Sequence, residues 1–324
     1  MKKGELALKL RADGKTNAEI AAFLNMKQSS VRRLISETKK PEGPANIAGG
    51  RDERWVIVGD TQVPFHHPAV VAVAADLVRV IKPDHIIYNG DMIDNWRISR
   101  HAKRGTELCR RDNAQDDLDR TIEVTEAIAA GAPLATKHWI DGNHEDMHDR
   151  YIGSAAPEYA ALRALRIEEL LALSKRGFKS YHPYKSGIWV SDNLWVTHGE
   201  CALTSPGASV QREIMSIGES VVMNHVHRRS HVRFRFGKKD VMGIENGCLC
   251  QVAPSYKAHT NWAHAITVIT KHDERTFTPE VVDIVTDSRR NVVFADYRGE
   301  RIERPLGFSD GLSIPWRAGT DLEF

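Results

Sequence analysis

The sequence contains no run of about eighteen apolar residues, the length a helix needs to cross a bilayer, so no membrane partner is expected. Its first residues, Met1-Lys2-Lys3-Gly4-Glu5, lead into an amphipathic pattern and not into an apolar export signal; the expectation is a soluble, cytoplasmic chain. Cysteine is scarce. Cys109, Cys201, Cys248 and Cys250 show no CxxC spacing, which argues against a disulfide framework or a cysteine zinc knot and fits a reducing compartment. Internal repeats and long low-complexity tracts are missing as well.

What is present is enough apolar residue, 41% of 324 positions, for one large domain and a small one. The net charge of +2 is unevenly spread. Residues 1–51 hold eleven Lys or Arg against five Asp or Glu, a net of +6, which leaves −4 for the remainder. A basic small module points to a polyanionic partner, or simply to a solvated face. Between the two parts, Lys39-Lys40-Pro41-Glu42-Gly43-Pro44-Ala45-Asn46-Ile47-Ala48-Gly49-Gly50 has almost nothing to bury and reads as a linker. The expected organisation is a helical domain over 1–40, a linker over 41–52, a catalytic-type domain over 53–303 and a tail over 304–324 of unassigned role.

Three short helical patterns precede the linker. Leu6, Leu8 and Leu10 begin an apolar stripe that Gly14 breaks. Thr16 is placed to cap a helix over residues 17–24 with Ile20, Ala21 and Leu24 inward, and residues 28–38 repeat the pattern with Val31, Leu34 and Ile35. The stretch from Gly14 to Ile35 resembles the helix-turn-helix of resolvases and sigma-type DNA binders. The resemblance implies that Lys27, Gln28, Ser29, Ser30, Arg32 and Arg33 front a recognition helix and contact DNA phosphates and base edges. One such unit binds weakly, so specific recognition calls for a homodimer or help from the second domain. A three-helix module for dimerisation or partner docking is the alternative.

From Trp55 onward, short apolar runs alternate with longer helical ones. Strands are expected over 55–58, 85–88 and 134–140 and helices over 68–80 and 115–130. Further strands are expected over 188–190, 194–197, 221–223, 231–236, 241–245, 265–269 and 280–285. This is an α/β pattern that two packed β-sheets flanked by helices accommodate.

Polar motifs sit where these strands end. Gly59-Asp60-Thr61-Gln62 follows the first, Gly90-Asp91-Met92-Ile93-Asp94 the second, and Gly142-Asn143-His144-Glu145 the third. Thr197-His198-Gly199 and Asn224-His225-Val226-His227-Arg228 follow two later strands. Open α/β sheets place ligands at such ends. Each motif alone is weak; five in order, all at strand ends, are not chance. Two histidines at i and i+2 face opposite ways on an extended chain, so they can grip neighbouring ions if the strand end turns between them.

The ordered set resembles the calcineurin-like metallophosphoesterases, whose pattern is GDxH, GDxxD, GNHE or GNHD, a His beside a Gly, and GHxH. The resemblance covers about residues 55–227 and implies a four-layer sandwich plus two divalent ions. In its terms, Asp60, Gln62 and His227 hold the first ion, Asn143, His198 and His225 hold the second, and Asp91 bridges them. His144 becomes the catalytic histidine, with Asp94 and Glu145 orienting it. The implied chemistry is in-line attack on phosphorus by a hydroxide shared between ions roughly 3.5–4 Å apart.

Two positions depart from the pattern. Gln62 stands where the family has His, and Asn224 where a Gly is common. A neutral amide weakens the first site, and Gln at this place is similar to the Mn-dependent ADP-ribose and CDP-alcohol hydrolases of the superfamily. Mn²⁺ is therefore the expected ion, with Mg²⁺, Fe²⁺ or Zn²⁺ as alternatives. His66 and His67 are nearby substitutes for a ligand or a phosphate contact, or ordinary loop residues.

Two basic segments could flank the ions. One is Arg97-Ile98-Ser99-Arg100-His101-Ala102-Lys103-Arg104; the other runs from Arg228 to Lys239 and places His231, Arg233 and Arg235 on one strand face. With Arg228 they are candidate nucleic-acid contacts, or a charged edge that discourages strand pairing. The combined expectation is a metal-dependent nuclease or end-processing phosphatase acting on DNA. Two alternatives stay open, a Mn-dependent nucleotide or dinucleotide phosphohydrolase and a DNA-bound regulator inactivated through Gln62.

Overall fold

The computed structural model describes residues 6, 7, 10, 15–27, 30, 31, 51–99, 113–252 and 260–313. Met1–Arg51 and Asp52–Phe324 form two units. In the first, helix α1 (Asn17–Leu24) opens on a reciprocal cap. The Thr16 hydroxyl accepts from the Glu19 amide, the Glu19 carboxylate accepts from the Thr16 amide, and Asn25 closes the helix at φ +50°. Ile20, Ala21 and Leu24 are buried with Ala7 and Val31. Lys27 is exposed and Ser30 half-buried. Gln28, Ser29, Arg32 and Arg33, and with them most of the third helical pattern, lie outside the described residues.

The second unit begins with β1 (Glu53–Val58), α2 (Pro68–Ile81), β2 (His85–Asn89), α3 (Ala114–Ala129), β3 (Thr136–Ile140), α4 (Asn143–Ala155), the single turn α5 (Ile167–Leu170) and β4 (Phe178–Tyr181). Strands β1 to β4 pair in parallel, and β10 (Ala265–Lys271) and β11 (Phe277–Asp283) extend the sheet antiparallel beyond β1. A second sheet has β5 (Gly187–Ser191), β6 (Leu194–Thr197), β7 (Ser220–Met223), β9 (Lys239–Asn246) and β8 (Arg229–Phe236) in that order, with β6, β7 and β9 parallel. Period-two alternation divides each strand between two cores. Trp55, Ile57, Ile87 and Ile140 meet Val196, Val222 and Ile244 between the sheets, whereas Val56, Val58, Ile86, Tyr88 and Trp139 face the helices. Helix α6 (Ala208–Ile217) covers the outer face of the second sheet through Val210 and Ile214.

Several elements differ from expectation. The strand expected from residue 134 starts at Thr136, and Leu134 is fully exposed in the turn before it. The strand expected over 280–285 breaks at Ile284, whose buried side chain anchors the switch from β11 to a third sheet of β12 (Val285–Asp287), β13 (Val292–Tyr297) and β14 (Glu300–Pro305). The 303 boundary falls inside β14, whose Ile302 joins Val293, Ala295 and Tyr297 in the helix-side core with α2. Beyond it, Leu306 and Leu312 pack on the same core. Among the described residues no helix is long and apolar enough to cross a membrane.

At the edge of the inter-sheet core, His85 Nδ1 lies 3.1 Å from His138 Nε2, and His138 Nδ1 lies 3.1 Å from the Tyr181 hydroxyl. Burial, then His85 and Lys179, pulls His138 down to about 3. On acidification the unfolded chain, with an ordinary imidazole at 6.5, takes up the proton first. The contribution is therefore complete above that value and is lost as pH falls from 6.5 toward 3. By about pH 5 the loss amounts to about 2 kcal/mol. His138→Gln should shrink the difference in urea unfolding free energy between neutral and mildly acid buffer by about that amount; an unaltered difference would disprove the assignment.

Candidate metal centre

Two triplets of adjacent parallel strands, β1–β2–β3 and β6–β7–β9, end beside one another, and the loops leaving them carry the polar motifs. The loops are tight. Asp60, Gln62, Asp91, His225 and His227 have φ of +51°, +52°, +52°, +71° and +58°, a left-handed conformation that non-glycine residues seldom adopt. The turns at His225 and His227 bring both rings to the same side, the condition set by their i, i+2 spacing. Non-glycine strain of this kind persists where surrounding structure enforces it, and it gathers at functional sites.

Asp91 is the hub. Its Oδ1 accepts from the His144 amide at 2.9 Å, and its Oδ2 lies 3.1 Å from Gln62 Nε2 and 3.3 Å from His198 Nε2. A Cβ on Gly142 would stand 2.1 Å from Asp91 Oδ1, so only glycine lets the third loop approach this carboxylate. On one side are Asp60 and His227, with Oδ1 and Nε2 3.6 Å apart. On the other, Asn143 Oδ1 lies 2.7 Å from His225 Nδ1 and 3.2 Å from His198 Nε2. His198 Nδ1 donates to the Asn89 carbonyl at 2.8 Å, which turns Nε2 into the site. The structure thus brings together Asp60, Gln62, Asp91, Asn143, His198, His225 and His227.

The electrostatics are those of a cation site. Burial alone would raise the Asp91 carboxyl, yet the His198 and His144 rings hold it well below the carboxylate range. Against the opposing effect of burial, Asp91 lifts His198 to about 10 and Asp60 lifts His227 to about 9. His225, with burial and His198 against it, falls to about 4. Two buried oxygens, Asp60 Oδ1 and Gln62 Oε1, have no hydrogen-bond partner. Orphaned buried oxygens beside a second carboxylate and three imidazoles fit divalent ions, with oxygen and nitrogen donors in both halves. Asp91 falls in both donor groups, with Asp60 and His227 in one and His198 and His225 in the other.

His144 lies at the mouth, its Nε2 3.8 Å from Asp91 Oδ2. Its Nδ1 is held by the backbone carbonyl of Asp94. Asp94 thus orients the ring through its backbone and not through its carboxylate. The buried Asp94 carboxyl, raised by burial to about 6, instead lines the cleft. The Glu145 carboxylate points away, accepting from the amides of Asp91 and Met92 at 2.9 Å and of Gly142 at 2.8 Å. It clamps the second loop to the third.

Three other groups of residues lie away from the role of a ligand or nucleic-acid contact. Arg228 is buried, paired with Glu245 at 3.5 Å and donating to the Leu203 carbonyl at 2.7 Å, so it braces a loop and is closed to nucleic acid. His66 is held by Asp310 at 2.7 Å and His67 packs near His264; neither lines the cleft. Arg97 pairs with Asp117 at 2.8 Å, and residues 100–104 lie outside the described residues. By contrast, His231, Arg233 and Arg235 are exposed on one face of β8, with Val232 and Phe234 packed inward.

The cleft measures about 140 Å³ and is also lined by Cys250, Gln251 and Trp262, none of which the sequence reading selected. The signal was present. Asn246-Gly247-Cys248-Leu249-Cys250 ends β9, the third strand of the second parallel triplet, and repeats the strand-end pattern with sulfur donors.

Carboxylates, amides and imidazoles converging on parallel strand ends define a metal-binding α/β protein. Residues 54–247 match the model for calcineurin-like phosphoesterases, and the chain belongs to that family, whose members bind divalent metals. It is 26% identical over 257 residues to the Gene 54 protein of Mycobacterium phage D29, covering 72% of this chain and 94% of that protein. The Gene 54 protein of Mycobacterium phage L5 is 27% identical over 258 residues with the same coverage. Among solved structures, Vps29 from Cryptosporidium parvum covers 79% of this chain and 97% of its own at 12% identity and a TM-score of 0.38. Vps29 complexed with zinc from Entamoeba histolytica covers 77% and 98% at 11% identity, also with a TM-score of 0.38.

Asn224 explains its own departure from glycine. Its amide nitrogen donates to Asp60 Oδ2 at 3.2 Å and to the Gly247 carbonyl at 3.1 Å, while its oxygen accepts from Asn89 at 2.9 Å and Asn246 at 3.2 Å. The left-handed turn falls on His225 instead. Asn224→Ala should lower stability by roughly 2–4 kcal/mol through the cavity and the unpaired amides, measured by urea unfolding. A loss below about 0.5 kcal/mol would rule out this role for the side chain.

Proposed function

We propose that the chain is a two-metal-dependent phosphoesterase acting on phosphodiester or terminal phosphate groups of DNA. The observation that carries this reading is the Asp91 carboxylate, common to both donor groups and set beside His144. Asp60, Gln62 and His227 would hold one ion with Asp91, and Asn143, His198 and His225 the other. A pair of divalent ions held there supplies Lewis acidity toward phosphate oxygens and a water acidic enough to attack at neutral pH. The excess of oxygen donors favours Mn²⁺.

The chain's own groups do the rest. Burial works against charge on His144, but Asp91 and Asp94 raise its pKa, which keeps a proton available. With Nδ1 on the Asp94 carbonyl, Nε2 faces the cleft, where it can hydrogen-bond a phosphate oxygen and give a proton to the departing one. Support for DNA comes from the +6 charge of residues 1–51 and the exposed Arg233 and Arg235. A mononucleotide substrate is the second reading, favoured by the small cleft and the Trp262 ring 4.3 Å from His227.

Asp91→Asn should abolish turnover of bis(p-nitrophenyl) phosphate and weaken binding of both ions in calorimetry. His144→Ala should bind metal normally and lose about a hundredfold in kcat. Near-normal turnover of Asp91→Asn at saturating Mn²⁺ would sink the two-metal assignment, and an inactive wild-type chain with bound metal would favour the regulator.

A second test concerns DNA. Removal of residues 1–40 should raise KM on long duplexes, most strongly at low salt, and leave kcat on the aryl diester unchanged. Equal KM for both forms across a salt series would transfer the case to the nucleotide substrate.

A further inference from the structure

The loop leaving β9 adds a group that the phosphoesterase reading does not use. Cys248 and Cys250, two residues apart, place their sulfurs with a ring nitrogen of His227, and the three donor atoms lie within 4.8 Å of one another. All three residues are buried, Cys248 at 0%, Cys250 at 2% and His227 at 9% exposure. The two nitrogens of His227 are divided. Nε2 faces Asp60 at 3.6 Å, and Nδ1 faces Cys250 Sγ at 3.7 Å. A tetrahedral zinc site with its usual Zn–S and Zn–N lengths has sulfur–nitrogen edges of about 3.6 Å and sulfur–sulfur edges of about 3.8 Å. The observed edge is thus already close to the bound value, and Cys250 and His227 both line the cleft.

We propose that His227 Nδ1, Cys248 and Cys250 form a site for a thiophilic divalent ion, Zn²⁺, distinct from the Asp91 centre but sharing His227 with it through the opposite ring nitrogen. On binding, each thiol releases its proton to solvent and its sulfur takes the ion. A neutral imidazole has one lone pair. With Nδ1 committed to zinc, Nε2 carries the proton and cannot serve the position beside Asp60. The two sites therefore exclude one another at His227, and the thiol pair makes the enzyme sensitive to zinc while leaving Mn²⁺, a poor partner for thiolate, to the oxygen-rich side. A simple hydrogen bond from His227 Nδ1–H to Cys250 is the alternative, and it predicts no metal–sulfur bond.

The experiment uses the full chain, reduced and stripped of metal, with Co²⁺ as the probe. One equivalent of Co²⁺ should produce a near-ultraviolet thiolate-to-cobalt charge-transfer band that Zn²⁺ abolishes. The Cys248→Ala/Cys250→Ala pair should lose the band, and each single variant about half of it, one sulfur of two. Asp91→Asn should retain it. Preloading with Zn²⁺ should reduce bound Mn²⁺, counted by electron paramagnetic resonance, from two per chain to one in the wild type and leave it at two in the double alanine variant. No charge-transfer band in the wild type, which needs no variant to fold, overturns the proposal. So does a band that survives in the double variant, that disappears in a cooperatively melting Asp91→Asn chain, or a Mn²⁺ count indifferent to zinc. Because the band is read without substrate, its failure is separate from any failure of the phosphoesterase reading.

Discussion

The placement of one buried carboxylate governs this molecule. Asp91 is 1% exposed and stands where the loops from three parallel strands and two histidines of the opposite sheet meet. Taking a charge out of water is costly, and the cost is met only if opposite charge or donors surround it closely. The His144 amide, the Gln62 amide and the His198 ring do this on the side-chain oxygens, and Glu145 fixes the backbone behind it. The sheets must end at the same level and Gly142 must lack a side chain for these partners to reach it.

Much of the fold and the centre was legible in the sequence because the relevant signals are short and local. Strand runs buried on both faces, such as Trp55 to Val58, read as apolar blocks, and a Gly followed by Asp or Asn marks the abrupt loop beyond. What escaped depends on contacts distant in sequence. Helix α4 buries only Glu145 and so lacks an apolar stripe, and the third sheet is recognisable only once α2 is there for Val293 and Ile302 to cover. Arg228 looked like part of a basic run because its partner, Glu245, lies on the neighbouring strand end. The Cys248–Cys250 spacing carries no disulfide or CxxC signature, and at a strand end spacing matters less than the level at which the strand stops.

The second sheet shows how the same backbone serves opposite ends. Along β8 one row of side chains joins the core under α6, and the other, His231, Arg233 and Arg235, stays in water. Among the described residues β8 has one strand neighbour, and the charged Arg233 and Arg235 on its exposed face discourage another strand from docking at that edge.

The segment that follows the third sheet also bears on the order of assembly. The loop after β1 is among the first parts of the domain to be synthesised, yet His66 within it is gripped by Asp310, 244 residues later, and its carbonyl accepts from the Ser313 hydroxyl. Strand β1 has β2 as an early parallel neighbour and gains β10 as its antiparallel one only later. Contacts this far apart carry a large loop-closure cost and form late. The loop after β1 has earlier partners in the loop after β2, where the Gln62 and Val63 amides donate to the Asp91 and Met92 carbonyls, so the segment around Asp310 and Ser313 adds the last fastening to a loop already in place.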